Sequence, residues 1–266
     1  MEQAPNEYIE ILLGLEDVFK SSGELALQLR KKAVVNNKLQ TGIRGIDIVT
    51  NADVAVQEAI LSEMAKTKLI ECELIAEEKT STAGKFKSTN GLVLTLDPID
   101  GTIFYATGKR FFSIIVCLHD KKDILYTFNY FPAVKWGYRI VGNNVQSIGS
   151  TAAVNTKNGI NLNMAIVHTF GDPENTAPEI YFDLIKKGYS FYKLSEVTDE
   201  SGSATLFFLD QTAGYFTNNP GAYDGLAMLH YGKVKKFKIY STLDISKPLI
   251  SERGVYYPGW YLVLRK

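Results

Sequence analysis

Leu96-Asp97-Pro98-Ile99-Asp100-Gly101-Thr102 closes an apolar run, Leu92-Val93-Leu94-Thr95-Leu96, that reads as a buried strand. The stretch sets two carboxylates three residues apart on a tight turn, where both can converge on one point. Pro98 has no N–H to give to a strand ladder and is expected to end it. Gly101 lets the backbone approach a ligand closely, and Thr102 can cap a following helix. Two converging carboxylates repel unless a cation lies between them. Oxygen donors with no His or Cys nearby suit Mg²⁺ or Mn²⁺ rather than zinc. Taken alone, such a turn reads equally well as a helix cap, so the rest of the chain has to decide.

C-terminal to this stretch, strands are expected at 111–119, 124–130 and 135–141, with turns at Asp120-Lys121-Lys122-Asp123 and Gly142-Asn143-Asn144. N-terminal to it, 69–76 reads as a strand ending at Glu77-Glu78, whose side chains point to opposite faces. Apolar spacing predicts a helix over 8–32, which Gly23 would kink or divide. A second helix follows Asp47-Ile48-Val49-Thr50-Asn51-Ala52-Asp53, with Val56, Ile60 and Met64 as its inner stripe. Thr50 and Asp53 have capping-box spacing, which accounts for both and leaves Asp47 unexplained. The polar segment 36–45 reads as a connector, or as a flap beside a site.

From about Ser150 strands and helices alternate: strands at 164–170 and 190–194, helices at 177–187 and 203–212, and a helix opening at Tyr223-Asp224-Gly225. This alternation places the chain in the α/β class. The change of pattern divides it into an N-terminal α+β half, 1–149, and a C-terminal α/β half, 150–266.

Lys+Arg and Asp+Glu balance at 29 each, so no basic excess points to a nucleic-acid polymer as partner. The longest apolar run, around 111–118, is far too short to span a bilayer, and the acidic N-terminus does not resemble a secretory signal. Cys72 and Cys117 sit in apolar strand-like runs and read as buried, inert thiols. A cytoplasmic protein acting on a small molecule is the expectation. His119, His168 and His230 are scattered singly and read as structural.

Asp47-Ile48-Val49-Thr50 with Asp53, Glu77-Glu78, Asp97-Pro98-Ile99-Asp100-Gly101-Thr102, and Asp224 at a helix start together resemble the inositol monophosphatase family. That family belongs to the metal-dependent, lithium-sensitive phosphatases, with fructose-1,6-bisphosphatases and nucleotide bisphosphate phosphatases. The resemblance implies a layered αβαβα sandwich and commonly a homodimer. It implies a phosphomonoesterase that hydrolyses a small, inositol-monophosphate-like metabolite by metal-activated attack of water. Glu77, Asp97, Asp100, the Ile99 carbonyl and Asp224 would hold two or three Mg²⁺ ions. Glu77 and Thr102 would orient the water, Asp47 would fix the Thr102 hydroxyl, and Gly101, Thr102, Gly202 and Ser203 would receive phosphate and substrate.

The chain departs from the family pattern at several positions. Gln57 stands where a glutamate is common, Ala76 precedes the glutamate pair in place of glycine, and Tyr223 stands in place of a tryptophan. Thr217, seven residues before Asp224, replaces a glutamate that contacts a substrate hydroxyl. It leaves open a 3′-phosphoadenosine 5′-phosphate or fructose-1,6-bisphosphate phosphatase, or a weakly catalytic binder of metal and phosphate.

Overall fold

The computed structural model describes residues 4–30, 35–37, 48–150, 155–157, 160–252 and 254–265. Two helices open the chain, α1 (Ala4–Gly14) and α2 (Glu16–Leu29), parted at Leu15 rather than at Gly23. Gly23 lies inside α2, where a Cβ would come within 2.5 Å of the Pro132 ring. Close packing, not a kink, requires glycine there. Strands β1 (Val35–Asn37) and β2 (Ile48–Thr50) pair antiparallel and lead into α3 (Asn51–Met64).

Six strands then form one sheet: β3 (Glu73–Ala76), β4 (Val93–Asp100), β5 (Ser113–His119), β6 (Ile124–Phe131), β7 (Trp136–Val141) and β8 (Asn144–Ile148). They lie in sequence order, antiparallel except for the parallel pair β3–β4. Strand β4 does not stop at Pro98. It runs to Asp100 through a bulge, with Asp97 opposite Ile115 and Asp100 opposite Ser113. Two residues on β4, Pro98 and Ile99, therefore face one on β5. A bulge is a place where a strand tolerates proline, and it re-aims the flanking side chains. Helix α4 (Thr102–Ala106) follows from Gly101, whose φ of +81° is left-handed backbone that glycine adopts without strain.

A second sheet has the order β10 (Ser190–Lys193), β9 (Ala165–His168), β11 (Gly214–Asn218), β15 (Trp260–Leu264), β12 (Lys238–Ser241). Helices α5 (Pro173–Thr176), α6 (Pro178–Lys186), α7 (Leu194–Val197), α8 (Ser203–Phe208) and α9 (Leu226–Val234) connect its strands. A small hairpin, β13 (Leu249–Ser251) and β14 (Gly254–Tyr256), precedes the last strand.

The layers follow from strand alternation. Leu94, Val116 and Phe128 point to one side of the first sheet and pack with Phe19, Val56 and Ile60 of α2 and α3. Ile115 and Cys117 point to the other, into a core shared with Phe207, Leu226, Tyr261 and Val263. On the far side of the second sheet Ile166, Phe216 and Leu262 meet Leu184 of α6. The order is helices, sheet, the pair α8 and α9, sheet, helices, which is the αβαβα sandwich expected. Among the described residues no helix is long and apolar enough to cross a membrane.

Two histidines fasten the layers together. His119 Nδ1 accepts the Lys121 N–H at 3.1 Å, so its proton sits on Nε2 and goes to the Tyr257 hydroxyl at 2.9 Å. His230 Nδ1 lies 2.8 Å from Thr127 Oγ1. Burial pushes both imidazoles down to about 4, so both are neutral at physiological pH.

Candidate metal centre

The bulge in β4 and the loop before α9 bring Asp97, Asp100 and Asp224 to one place. Carboxylate oxygens of the three lie within 4.8 Å of one another. Each side chain is held by the local fold. Asp97 Oδ1 accepts the Ile99 N–H at 3.0 Å, an Asx turn that sets the bulge. Asp100 Oδ2 accepts the Ser113 hydroxyl at 3.0 Å from the facing strand. Asp224 is seated by Gly221, where any Cβ would collide with Asp224 Oδ1. The Tyr261 hydroxyl, from β15, donates to the Gly225 carbonyl at 2.6 Å and ties the loop to the second sheet.

The electrostatics are those of a site built around a cation. Burial lifts Asp97 well above the carboxylate range, and the charges of Glu77, Asp100 and Asp224 lift it further. Burial pushes Asp100 up to about 6, and burial with the Asp100 charge pushes Asp224 up to about 7. Asp224 Oδ1 is buried with no hydrogen-bond partner among the described residues. An orphaned carboxylate oxygen beside two further carboxylates is costly, and a hard divalent cation would relieve both costs at once. The donor set fits Mg²⁺ or Mn²⁺.

Glu77 lies just beyond β3, its N–H bonded to the Leu96 carbonyl at 3.2 Å, near enough to be the first charge acting on Asp97. Gln57 clamps the next residue. Its Nε2 donates to the Glu78 carbonyl at 2.6 Å and its Oε1 accepts the Glu78 N–H at 2.9 Å. An ionised glutamate could only accept, whereas the amide both donates and accepts, which accounts for glutamine at 57. The Thr102 hydroxyl donates to the Ile99 carbonyl at 3.2 Å.

Gly202 and Ser203 stand at the start of α8. Ser203 is buried, and its hydroxyl lies 2.8 Å from that of Thr169. The next residues, Ala204 and Thr205, line a cavity with Asp100, Asn129, Tyr215 and Asp224, which puts this helix start at the acidic cluster. Thr217 is on β11 and only 2% exposed. Asp47 lies outside the described residues, as does most of the segment 36–45.

Sequence reading missed Ser113 and Gly221. Ser113 was hidden in an apolar strand, where a lone hydroxyl opposite Asp100 was the available signal. Gly221 ends Asn218-Asn219-Pro220-Gly221, a stretch that reads as a plain turn and gives no sign of its contact with Asp224. Asp53, read as a cap, is also 1% exposed and adds to the charge acting on Asp97.

Two aspartates flanking a strand bulge, completed by a third from the loop before α9, define an acidic centre that could hold a metal ion on a layered sandwich. The chain belongs to the inositol monophosphatase family: the model of that family matches residues 10–205. Asp224 lies beyond that match, and it is the fold that brings it to the other two. Inositol monophosphatase 2 of Mus musculus is 30% identical over 109 residues, which are 38% of this chain and 37% of that protein. The chain thus matches a little over one third of this relative's length.

Solved structures share the fold over nearly the whole chain. An IMPase of Thermotoga maritima is 17% identical, with a TM-score of 0.65, over 96% of this chain and 92% of that one. An IMPase/NADP phosphatase complexed with Mg²⁺ and phosphate is 18% identical, with a TM-score of 0.64, over 98% and 91%.

Proposed function

We infer that the protein is a Mg²⁺-dependent phosphomonoesterase acting on a small phosphorylated metabolite. The observation that carries this is the convergence of buried Asp97 with half-buried Asp100 and Asp224, with an orphaned oxygen and no counter-charge among the groups that shift them. Family membership and the Mg²⁺ and phosphate named for the similar structure support the same reading.

Asp97, Asp100, Asp224, Glu77 and the Ile99 carbonyl would hold two or three Mg²⁺ ions, with Mn²⁺ as the substitute. When bound, such ions offset the phosphate charge and make water acidic enough to attack at neutral pH. The chain's own residues do the positioning. Glu77, just beyond β3, and the Thr102 hydroxyl would orient the attacking water. Asp47 would fix that hydroxyl. The Gly101 and Thr102 N–H groups, at the start of α4, would receive phosphate oxygens, and Gly202, Ser203 and Thr217 would border the substrate. The resemblance also supports a homodimer; the composition supports a cytoplasmic protein, and the change of pattern near Ser150 a chain of two halves, 1–149 and 150–266.

Phosphate release tests this directly. The panel is myo-inositol 1-phosphate, fructose 1,6-bisphosphate, 3′-phosphoadenosine 5′-phosphate and NADP, each with and without Mg²⁺. Mg²⁺-dependent release from at least one, lost in Asp97→Asn, is expected. Release that ignores both Mg²⁺ and the substitution would overturn the assignment.

A further inference from the structure

We propose that the leaving group of the substrate carries a planar apolar portion, and that Phe170 is the residue that reads it. The proposal rests on the phosphomonoesterase reading and deepens it. Phe170 follows β9, which runs parallel to β11 with His168 opposite Phe216. Residues 169–171 therefore leave the sheet beside Thr217 and Asn218, at the carboxyl ends of two parallel strands. Binding crevices of α/β sheets form at such ends. Gly171, with φ at +84°, lies so close to β11 that a Cβ would stand 2.6 Å from Asn218 Cβ. Thr169 is bonded to Ser203, one residue before the helix start that shares a cavity with Asp100 and Asp224. The loop is thus fastened to β11 at Gly171 and, through Thr169, to the residue that precedes the cavity-lining Ala204 and Thr205.

Several polar groups of this rim hold one another or the nearby backbone. Thr169 and Ser203 hold each other. Asp172 Oδ1 accepts the Glu174 N–H at 3.1 Å and its Oδ2 accepts from Asn175 Nδ2 at 2.7 Å. Asn219 Oδ1 accepts the Gly259 N–H at 3.1 Å. Thr217 is buried and uncharged. A polyol finds few hydroxyl readers here. Phe170, in contrast, is 49% exposed although it is a large aromatic. An aromatic face held out beside a phosphate-binding centre suits a flat ring, because stacking is tolerant of ring identity and a polar leaving group gains nothing from it.

Two phosphonates, which cannot be hydrolysed, test this by calorimetric titration in Mg²⁺: benzylphosphonate and 2,3-dihydroxypropylphosphonate. The native chain is expected to bind the benzyl compound about five- to 150-fold more tightly, the range of one stacking contact. Phe170→Ala should bring the two within about twofold, and Phe170→Trp should restore the preference. Equal binding by the native chain, or a preference untouched by Phe170→Ala, overturns the proposal. A chain that keeps the Phe170-dependent preference yet releases no phosphate from any ester retains the stacking site and loses the hydrolase reading.

Discussion

Asp224→Asn should make the metal-free protein more stable while abolishing its response to Mg²⁺. Burial and the Asp100 charge raise Asp224 from 3.8 to about 7. Each tenfold displacement of a proton equilibrium is worth about 1.4 kcal/mol, so ionising Asp224 in the empty fold costs about 4 kcal/mol if it is fully enclosed. Asp224 keeps partial contact with solvent and shares its repulsion with Asp100, which leaves about 2 kcal/mol for asparagine to recover. For a chain of this size that is a Tm gain of about 4–8 °C. The sign follows from linkage. An acid raised on folding gives its full stability below the unfolded value of 3.8 and loses it as pH rises through about 7. The gap between variant and native chain should therefore be full at pH 8 and shrink to about 1 °C near pH 4. Calorimetric melting in chelator at both values measures it. At a Mg²⁺ concentration 100 times the dissociation constant, the native chain should gain about 2.7 kcal/mol and the variant nothing. A variant that melts below the native chain at pH 8 in chelator, or that gains equally from Mg²⁺, would refute the reasoning.

Two further outcomes are expected. Gly221→Ala should displace Asp224 without replacing any carboxylate, and lower Mg²⁺ affinity at least about tenfold by titration calorimetry while the metal-free Tm moves little. His119 and His230, held at about 4 against 6.5 when unfolded, give their full stability above 6.5 and lose it as pH falls through 4. The acid limb should therefore lose about 3 kcal/mol per histidine, and His230→Gln should flatten it in urea melts run from pH 7 to pH 4.

The carboxylates of the centre were legible because their chemistry is local. Asp97 and Asp100 share one turn, and apolar alternation located the strands around them. The path of that turn was not legible. Pro98 argued for a strand end, but the Asx bond from Ile99 to Asp97 and the Ser113 contact hold β4 through a bulge. The helix 8–32 was placed correctly and divided wrongly, because the role of Gly23 depends on Pro132, more than 100 residues away. Strand β8 escaped notice because its outer residues are mostly exposed and polar, leaving little alternation to read. Gln57 drew attention only as a departure, and its reason, a two-way clamp on Glu78, requires a contact 21 residues apart.

The position of β15 has a consequence for synthesis. Trp260–Leu264 pairs with β11 on one side and β12 on the other, in the interior of the second sheet, and its Tyr261 holds the loop that carries Asp224. During synthesis every acidic residue of the centre leaves the ribosome before these five residues do. During that interval β11 and β12 have no common neighbour and Asp224 has no fixed seat. A stop codon at Trp260 would give a product with all these carboxylates and without the strand that ties the Asp224 loop to the second sheet.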